Sequence, residues 1–421
     1  MSFGSINKGS KIYVETFGCT ANLGDERRLR AMLRRSGYKL VSDETQADIV
    51  IVNTCTVVRR TELNVLRRIK ELQERGKEVI VAGCMAAAQP ELLKTLFGDV
   101  RFITPADVQR LPLNFELDGV IGIVNIANGC VGDCAYCIVK RARGKLRSYV
   151  PHEILRAVEN LVQRGAKEIR LTAQDCSAYG LDFNARGGCG GSYNDGGRGL
   201  PSLLSEVAAV AGDFKIRVGM MNPFTLLDIL DETLNAFEHE KMFKFFHVPV
   251  QSGSDTVLKD MRRPYSVEDF KEIARSIRRK FKDCVLCTDF IIGFPTETEA
   301  DFQLSLELLR ELKPEKVNIT RFSPRPGTEA AKLKDLLERE KKQRSRIFAE
   351  TYHRIALEKN QGLVGAVKEV LVTEEGVKGG VIARDAAYRT VVLKERLPLG
   401  TRLPVRIVEA RSTYIVATPA A

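Results

Sequence analysis

"IANGCVGDCAYCIVKRARGKLRS", residues 126–148, sets Cys130, Cys134 and Cys137 in a C-x3-C-x2-C spacing and follows them at once with a run of cations. A disulfide would use two of these thiols and strand the third. A structural zinc would want a fourth Cys or His close by. The nearest histidine is His152, beyond the basic run and a proline, so zinc is the weaker alternative. Iron–sulfur cubanes are usually held by four thiolates. Held by three, a cubane keeps one iron open, as any metal site does when protein ligands are fewer than coordination positions.

The rest of the chain sets the context. Its 421 residues exceed one ordinary core and its net charge is +11, so several domains and a polyanionic partner such as nucleic acid are expected. The N-terminus "MSFGSINKGSKIYVETF" lacks the apolar core of a signal peptide. No run approaches the ~18 apolar residues of a membrane helix, so a cytoplasmic protein without a membrane partner is expected. Ten cysteines in that compartment argue for metal, redox or plain buried thiols rather than a disulfide framework.

Strands and helices alternate from the start. "KIYVETF" (11–17), "DIVIVNT" (48–54) and "EVIVAG" (78–83) read as strands, with helical patterns between them. That alternation predicts a doubly wound parallel sheet. Cys19, Cys55 and Cys84 each follow one of these strands. The carboxyl ends of parallel strands form the ligand crevice, so three thiols are delivered to one edge. Six further strands, near 122–127, 168–173, 215–220, 243–249, 286–292 and 315–320, predict a partial (βα)6 barrel, with function at the strands' carboxyl ends. Residues 184–199 read as a glycine-rich surface loop. From 363 onward short β-rich runs predict a barrel of about five strands; residues 360–421 carry nine Lys/Arg against six Asp/Glu. The fold class is therefore α/β, with an N-terminal α/β domain (10–110), the barrel (115–328), a charged helical connector (329–359) and a small β-barrel (360–421).

The cysteine stretch resembles the signature of radical S-adenosylmethionine (SAM) enzymes, with Tyr136 at the aromatic position. End to end, "ETFGCTAN", "VNTCTV", "VAGCMA", "LTAQD", "VPVQSGS", "MRRPYS" and "FIIGFPTET" resemble the methylthiotransferase family. "KTLFGDVRFITP", "LTAQDCSAYGLD" and "RVGMMNP" are similar to its archaeal/eukaryotic tRNA branch, which acts on N6-threonylcarbamoyladenosine at tRNA position 37, in the anticodon stem-loop. The resemblance implies two 4Fe-4S clusters, one on Cys130, Cys134 and Cys137 for SAM, one on Cys19, Cys55 and Cys84 for the transferred sulfur. It implies a C-terminal RNA-binding TRAM domain, with a reductase and a sulfur donor as partners. One SAM would supply the methyl group and a second the radical. Another tRNA adenosine, a ribosomal-protein aspartate, or a non-catalytic RNA-binding iron protein are the alternatives.

Individual roles follow with their plainer readings beside them. Gln174 and Asp175 end a strand and would face the barrel mouth toward SAM or substrate; the plainer reading of Asp175 is a helix cap. Asn222, Gln251 and Ser252 are expected to bond SAM, and Ser252 could instead be a cap. Arg262 in "MRRPYS" pairs with the SAM carboxylate or lies in solvent. Lys140, Arg141, Arg143, Lys145 and Arg147 grip RNA phosphates or form a solvated charge run. Cys176, Cys189, Cys284 and Cys287 are read as non-ligands.

Overall fold

The computed structural model describes residues 7–183, 199–377 and 379–420. The predicted glycine-rich loop and Cys189 fall almost entirely outside them.

The first sheet is parallel, in the order β2-β1-β3-β4-β5. Its strands are β1 (Lys11–Thr16), β2 (Lys39–Leu40), β3 (Ile49–Thr54), β4 (Glu78–Gly83) and β5 (Arg101–Ile103). Helices α1 (Thr20–Arg35) and α2 (Arg59–Glu74) lie on opposite faces. On one side Ile12, Ile51 and Ile80 bury against Leu29 and Leu33 of α1. On the other, Val50, Val52 and Val81 bury against Val65, Ile69 and Leu72 of α2. Adjacent residues of β3 thus serve opposite cores, the period-two rule of a strand covered on both faces. Each fully buried Val, Ile or Leu contributes ~1.5–3 kcal/mol. The strands β2 and β5 escape the sequence reading because two or three residues are too few to show a period.

The second sheet starts at β6 (Ile121–Asn125). After a short antiparallel pair, β7 (Ala127–Asn128) with β8 (Arg147–Ser148), it continues through β9 (Glu168–Thr172), β10 (Lys215–Val218), β11 (Phe245–His247), β12 (Val285–Ile292) and β13 (Lys316–Arg321). Two three-stranded parallel sheets, β10-β9-β6 and β11-β12-β13, are joined by the bridges Ile216↔Met242 and Met220↔His247. Six strands therefore stand in sequence order, as right-handed βα units require, and among the described residues β6 and β13 do not pair. This is the partial barrel.

The segment 329–359, expected as a connector, is built into that barrel. Its helix Glu338–Gln361 packs Phe348, Tyr352 and Ile355 into the main core, Phe348 lying 4.7 Å from Phe290 ring to ring. The charge pattern hid this, because Arg344 and Lys341 are buried with acidic partners: Arg344 Nη1 lies 2.9 Å from Glu297 and Lys341 Nζ 2.7 Å from Asp335.

The last five strands, β14 (Val367–Glu375), β15 (Val381–Asp385), β16 (Thr390–Leu393), β17 (Arg402–Ala410) and β18 (Ile415–Pro419), form a closed barrel. It seats against the amino-terminal ends of the large barrel's strands. There Leu371 and Ala387 join Phe243, Phe245 and Val285, and the Tyr388 hydroxyl donates to Glu168.

The N-terminal domain docks on β6 through α1. Buried Asn125 donates to Ala21 O at 3.3 Å and to Asp25 Oδ1 at 3.2 Å. Gly24 makes this approach possible: a Cβ there would lie 1.7 Å from Asn125 Oδ1. Alanine is favoured over glycine in a helix by ~1 kcal/mol, yet Gly24→Ala is expected to lower stability by ~1–3 kcal/mol through overpacking. Urea unfolding measures it, and a stabilised variant would show that the two elements do not meet this closely.

Candidate active site

Both cysteine sets lie where the N-terminal domain meets the barrel mouth. In the loop after β6, Gly129 has φ +77°, and a Cβ there would stand 2.1 Å from Lys145 O, so the turn into Cys130 requires glycine. Gln174 holds this turn by accepting the Gly129 N–H at 2.7 Å. Gly132 N–H donates to Cys130 Sγ at 3.2 Å. A Cβ on Gly132 would lie 3.4 Å from Cys130 Sγ and 3.7 Å from Cys134 Sγ, so the two thiols flank bare backbone. Burial, with Asp175 adding, pushes the Cys130 thiol up to about 11; burial and Cys134 push Cys137 up to about 12. Thiols so placed keep their protons in water and lose them to solvent when a cation binds in the protons' place.

The second set follows the sheet. Cys19 precedes α1, Cys55 follows β3, and Cys84 opens the short helix Cys84–Ala88 directly after β4. The edge predicted from the strand pattern is the edge observed. Cys84 Sγ donates to Asn22 Oδ1 at 3.5 Å. Burial pushes Cys84 up to about 11, with Cys19 and Cys55 adding, and burial raises Cys55. Each set is three thiols among cations, amides and backbone N–H groups. That donor chemistry fits an anionic cluster with one iron left open.

Arg143 joins the sets. It belongs to the basic run expected to grip RNA, yet it is buried. Its guanidinium donates to Asp25 Oδ2 at 2.7 Å, Asn22 Oδ1 at 2.7 Å and Asn128 Oδ1 at 2.9 Å. Burial works against its charge, and Asp25, Cys84 and Cys19 outweigh it. Lys140 is tied to Asp133 at 3.1 Å and Arg141 lies against Gly327. Lys145 and Arg147 are exposed. The basic run is therefore part interface, part surface; sequence could not separate them, because the helix Val139–Arg143 buries Arg143 and leaves Arg141 exposed.

Other expectations shift by a residue or turn inward. Arg262 has φ +56° and points away, half exposed, to Asp133 and Glu329. Its neighbour Arg263 takes the site. It donates to Cys134 Sγ at 3.2 Å, to Asn222 Oδ1 at 3.0 Å and to the Tyr265 hydroxyl at 2.9 Å. The left-handed residue after a helix end chose between two adjacent arginines, and nothing in "MRRPYS" signals it. Asp175 sits at its strand end but faces inward. It accepts Ser177 N–H at 3.1 Å, Asn222 N–H at 3.0 Å and the Thr225 hydroxyl at 2.7 Å, clasping two strand-end loops. Burial raises its pKa against those hydrogen bonds. Asn222 caps the following helix through Phe224 N–H. Ser252 is buried and accepts Ser254 N–H at 3.2 Å, while Ser254 is the helix cap. Cys176 and Cys284 are buried in an apolar cluster, and Cys287 is buried with its thiol beside His247 and Asp289.

Between the barrel mouth and α2 lies a cavity of about 990 Å³. Tyr136, Cys137, Gln251, Asp289 and Asn318 line it on the barrel side; Val57, Arg60, Asn64 and Arg67 line it on the other. Oδ1 of the lining residue Asp289 lies 2.8 Å from His247 Nε2 and also accepts from Asn318 at 2.7 Å. Burial opposes charge on His247, but Cys287 and Asp289 raise it to about 10. Strand alternation predicts that these side chains share the lumen, not that they pair.

Known proteins agree with this architecture. Residues 11–104 match the uncharacterized protein family UPF0004, 124–309 the radical SAM superfamily and 361–419 the TRAM domain. The "probable threonylcarbamoyladenosine tRNA methylthiotransferase" of Archaeoglobus fulgidus is 39% identical over 98% of this chain and 99% of its own. The chain belongs to the threonylcarbamoyladenosine tRNA methylthiotransferase family. The human threonylcarbamoyladenosine tRNA methylthiotransferase is 32% identical over 97% of this chain and 74% of its own length. Among solved structures, the radical SAM methyltransferase TsrM of Kitasatospora setae shares the fold, with a TM-score of 0.54 over 77% of each chain at 13% identity. No helix among the described residues is long and apolar enough to cross a membrane.

Proposed function

We propose that this chain adds a methylthio group to C2 of N6-threonylcarbamoyladenosine at tRNA position 37, using SAM. The observation that carries the reading is a pair of three-thiol sets joined through Arg143 at a domain junction, with Cys137 of one set opening onto the cavity. Cys130, Cys134 and Cys137 would hold one 4Fe-4S cluster and Cys19, Cys55 and Cys84 the other. When bound, such clusters supply the electron that cleaves SAM to a radical and the sulfur that is transferred.

The chain's own residues bind and orient. Gln174 fixes the turn before Cys130, and Arg263 places positive charge on Cys134. Tyr136 and Gln251 wall the cavity and would orient SAM. Asp289 and His247 neutralise each other, so neither is a free base; an aromatic C2–H is in any case beyond side-chain bases near neutral pH. An electron-donating reductase, a sulfur donor and a cytoplasmic setting complete the reading.

Anaerobic reconstitution with SAM, a reductant and tRNA bearing the threonylcarbamoyl group tests it. The expected product is the 2-methylthio nucleoside. Cys55→Ala should still release 5′-deoxyadenosine but make no product, and should hold about four irons where the intact chain holds about eight. Product formation by that variant would remove the second set from the reaction.

A further inference from the structure

We propose that the exposed stripe of α2, Arg60, Leu63, Asn64 and Arg67, with Val57 and Val58 before it, is the surface that takes the unpaired RNA strand beside the modified nucleotide. This deepens the tRNA reading above and rests on it.

Helix α2 has two unlike faces. Val65, Ile69 and Leu72 are fully buried on the sheet. Positions 60, 63, 64 and 67 fall on one stripe, at spacings of three and four, and all four are exposed. That stripe is the wall of the cavity opposite Tyr136, Gln251 and Asp289. Arg60 and Arg67 make no ion pair among the described residues. Most cations of the surrounding chain do: Arg59 is bound to Glu62 and Arg321 to Glu338, each within hydrogen-bond distance. Two unpaired arginines on a cavity wall are complementary to phosphates.

Apolar side chains stand between them. Val57 is 46% exposed, Val58 40% and Leu63 44%. Bases without a pairing partner present apolar faces, while a duplex presents only its backbone and groove edges. Alternating cations and apolar surface therefore suits a single strand. The first turn of this 16-residue helix, Arg59 and Arg60, is part of the cavity wall and brings the helix's positive end beside it.

The placement of the other basic regions leaves room for a separate surface. The C-terminal barrel seats at the amino-terminal end of the large barrel's strands, away from the mouth. In the run after the cysteine loop, Arg143 is buried and Lys140 paired. A nucleotide inserted at the mouth would have its neighbours against α2.

The test is fluorescence anisotropy of the full-length protein with a labelled anticodon stem-loop RNA across a salt series. Arg60→Ala with Arg67→Ala is expected to weaken binding about tenfold near physiological salt and to reduce the log–log salt slope by about 1.4, two single-strand phosphate contacts. Leu63→Ala should weaken binding with the slope unchanged. The control, Arg35→Ala with Lys39→Ala, removes the same charge from exposed positions at the opposite, amino-terminal edge of the first sheet and should change neither quantity. An α2 double variant indistinguishable from this control overturns the proposal, whether the stripe then serves a protein or nothing. An intact chain that does not bind the RNA overturns the tRNA reading itself.

Discussion

Cys134→Ala is expected to abolish release of 5′-deoxyadenosine from SAM and to lower bound iron from about eight to about four per chain. Two losses act together. Removing one of three thiolates leaves a cubane with too few protein ligands to stay assembled. The change also takes a partner from Arg263, whose guanidinium is 3.2 Å from Cys134 Sγ in a buried setting. That cation is held on its other sides by Asn222 and Tyr265, so the polypeptide should stay folded while the iron is lost. Cys176→Ala is the matching control. Its thiol is fully buried in the apolar core, and its removal should alter stability without changing iron content. Iron counting and chromatographic detection of 5′-deoxyadenosine, both under anaerobic conditions, read the result. Eight irons retained on the Cys134 variant would show that this cysteine is no ligand.

Arg143→Met is expected to cost ~3–5 kcal/mol, the usual penalty for leaving one member of a buried ion pair without the other. The side chains of Arg143 and Asp25 are 1% and 8% exposed at 2.7 Å, so solvent screening does little to reduce the figure. Asp25 lies on α1 and Arg143 ends the helix Val139–Arg143 just after Cys137, so the pair spans the junction of two domains. The loss should appear as a lower urea midpoint and as iron missing from the Cys19, Cys55 and Cys84 set, because Arg143 also orients Asn22 beside Cys84. Combining it with Asp25→Asn should recover part of the loss, since the stranded carboxylate is then neutral. A cost below about 1 kcal/mol would be that of a surface pair and would mean that water reaches this junction.

Much of this was legible from the chain alone. A strand reveals itself by apolar alternation or an apolar run, and β1, β3 and β4 carry enough residues to do so. Once their ends were located, Cys19, Cys55 and Cys84 fell on one edge by topology. The spacing of Cys130, Cys134 and Cys137 pointed to a three-thiol site, because ligand number is local chemistry. Roles that depend on where a side chain points were less accessible. Asp175 and Ser252 were located on the right loops, yet their oxygens are spent on neighbouring N–H and hydroxyl groups. Arg262 and Arg263 differ by one backbone dihedral region, and that difference selects which one meets Cys134.

Sequence by itself determined the α/β class, the order of six barrel strands, the small terminal β-barrel and the strand-end placing of Cys19, Cys55 and Cys84, since each is written in periodicity or spacing along the chain. Tertiary structure alone decided that Arg143 is an interface residue, that the 338–361 helix covers the barrel, and that α2 faces the mouth across a cavity. These depend on distances between residues far apart in sequence, such as Asp25 and Arg143. There burial turns a charge that would read as solvated into one that must be paired.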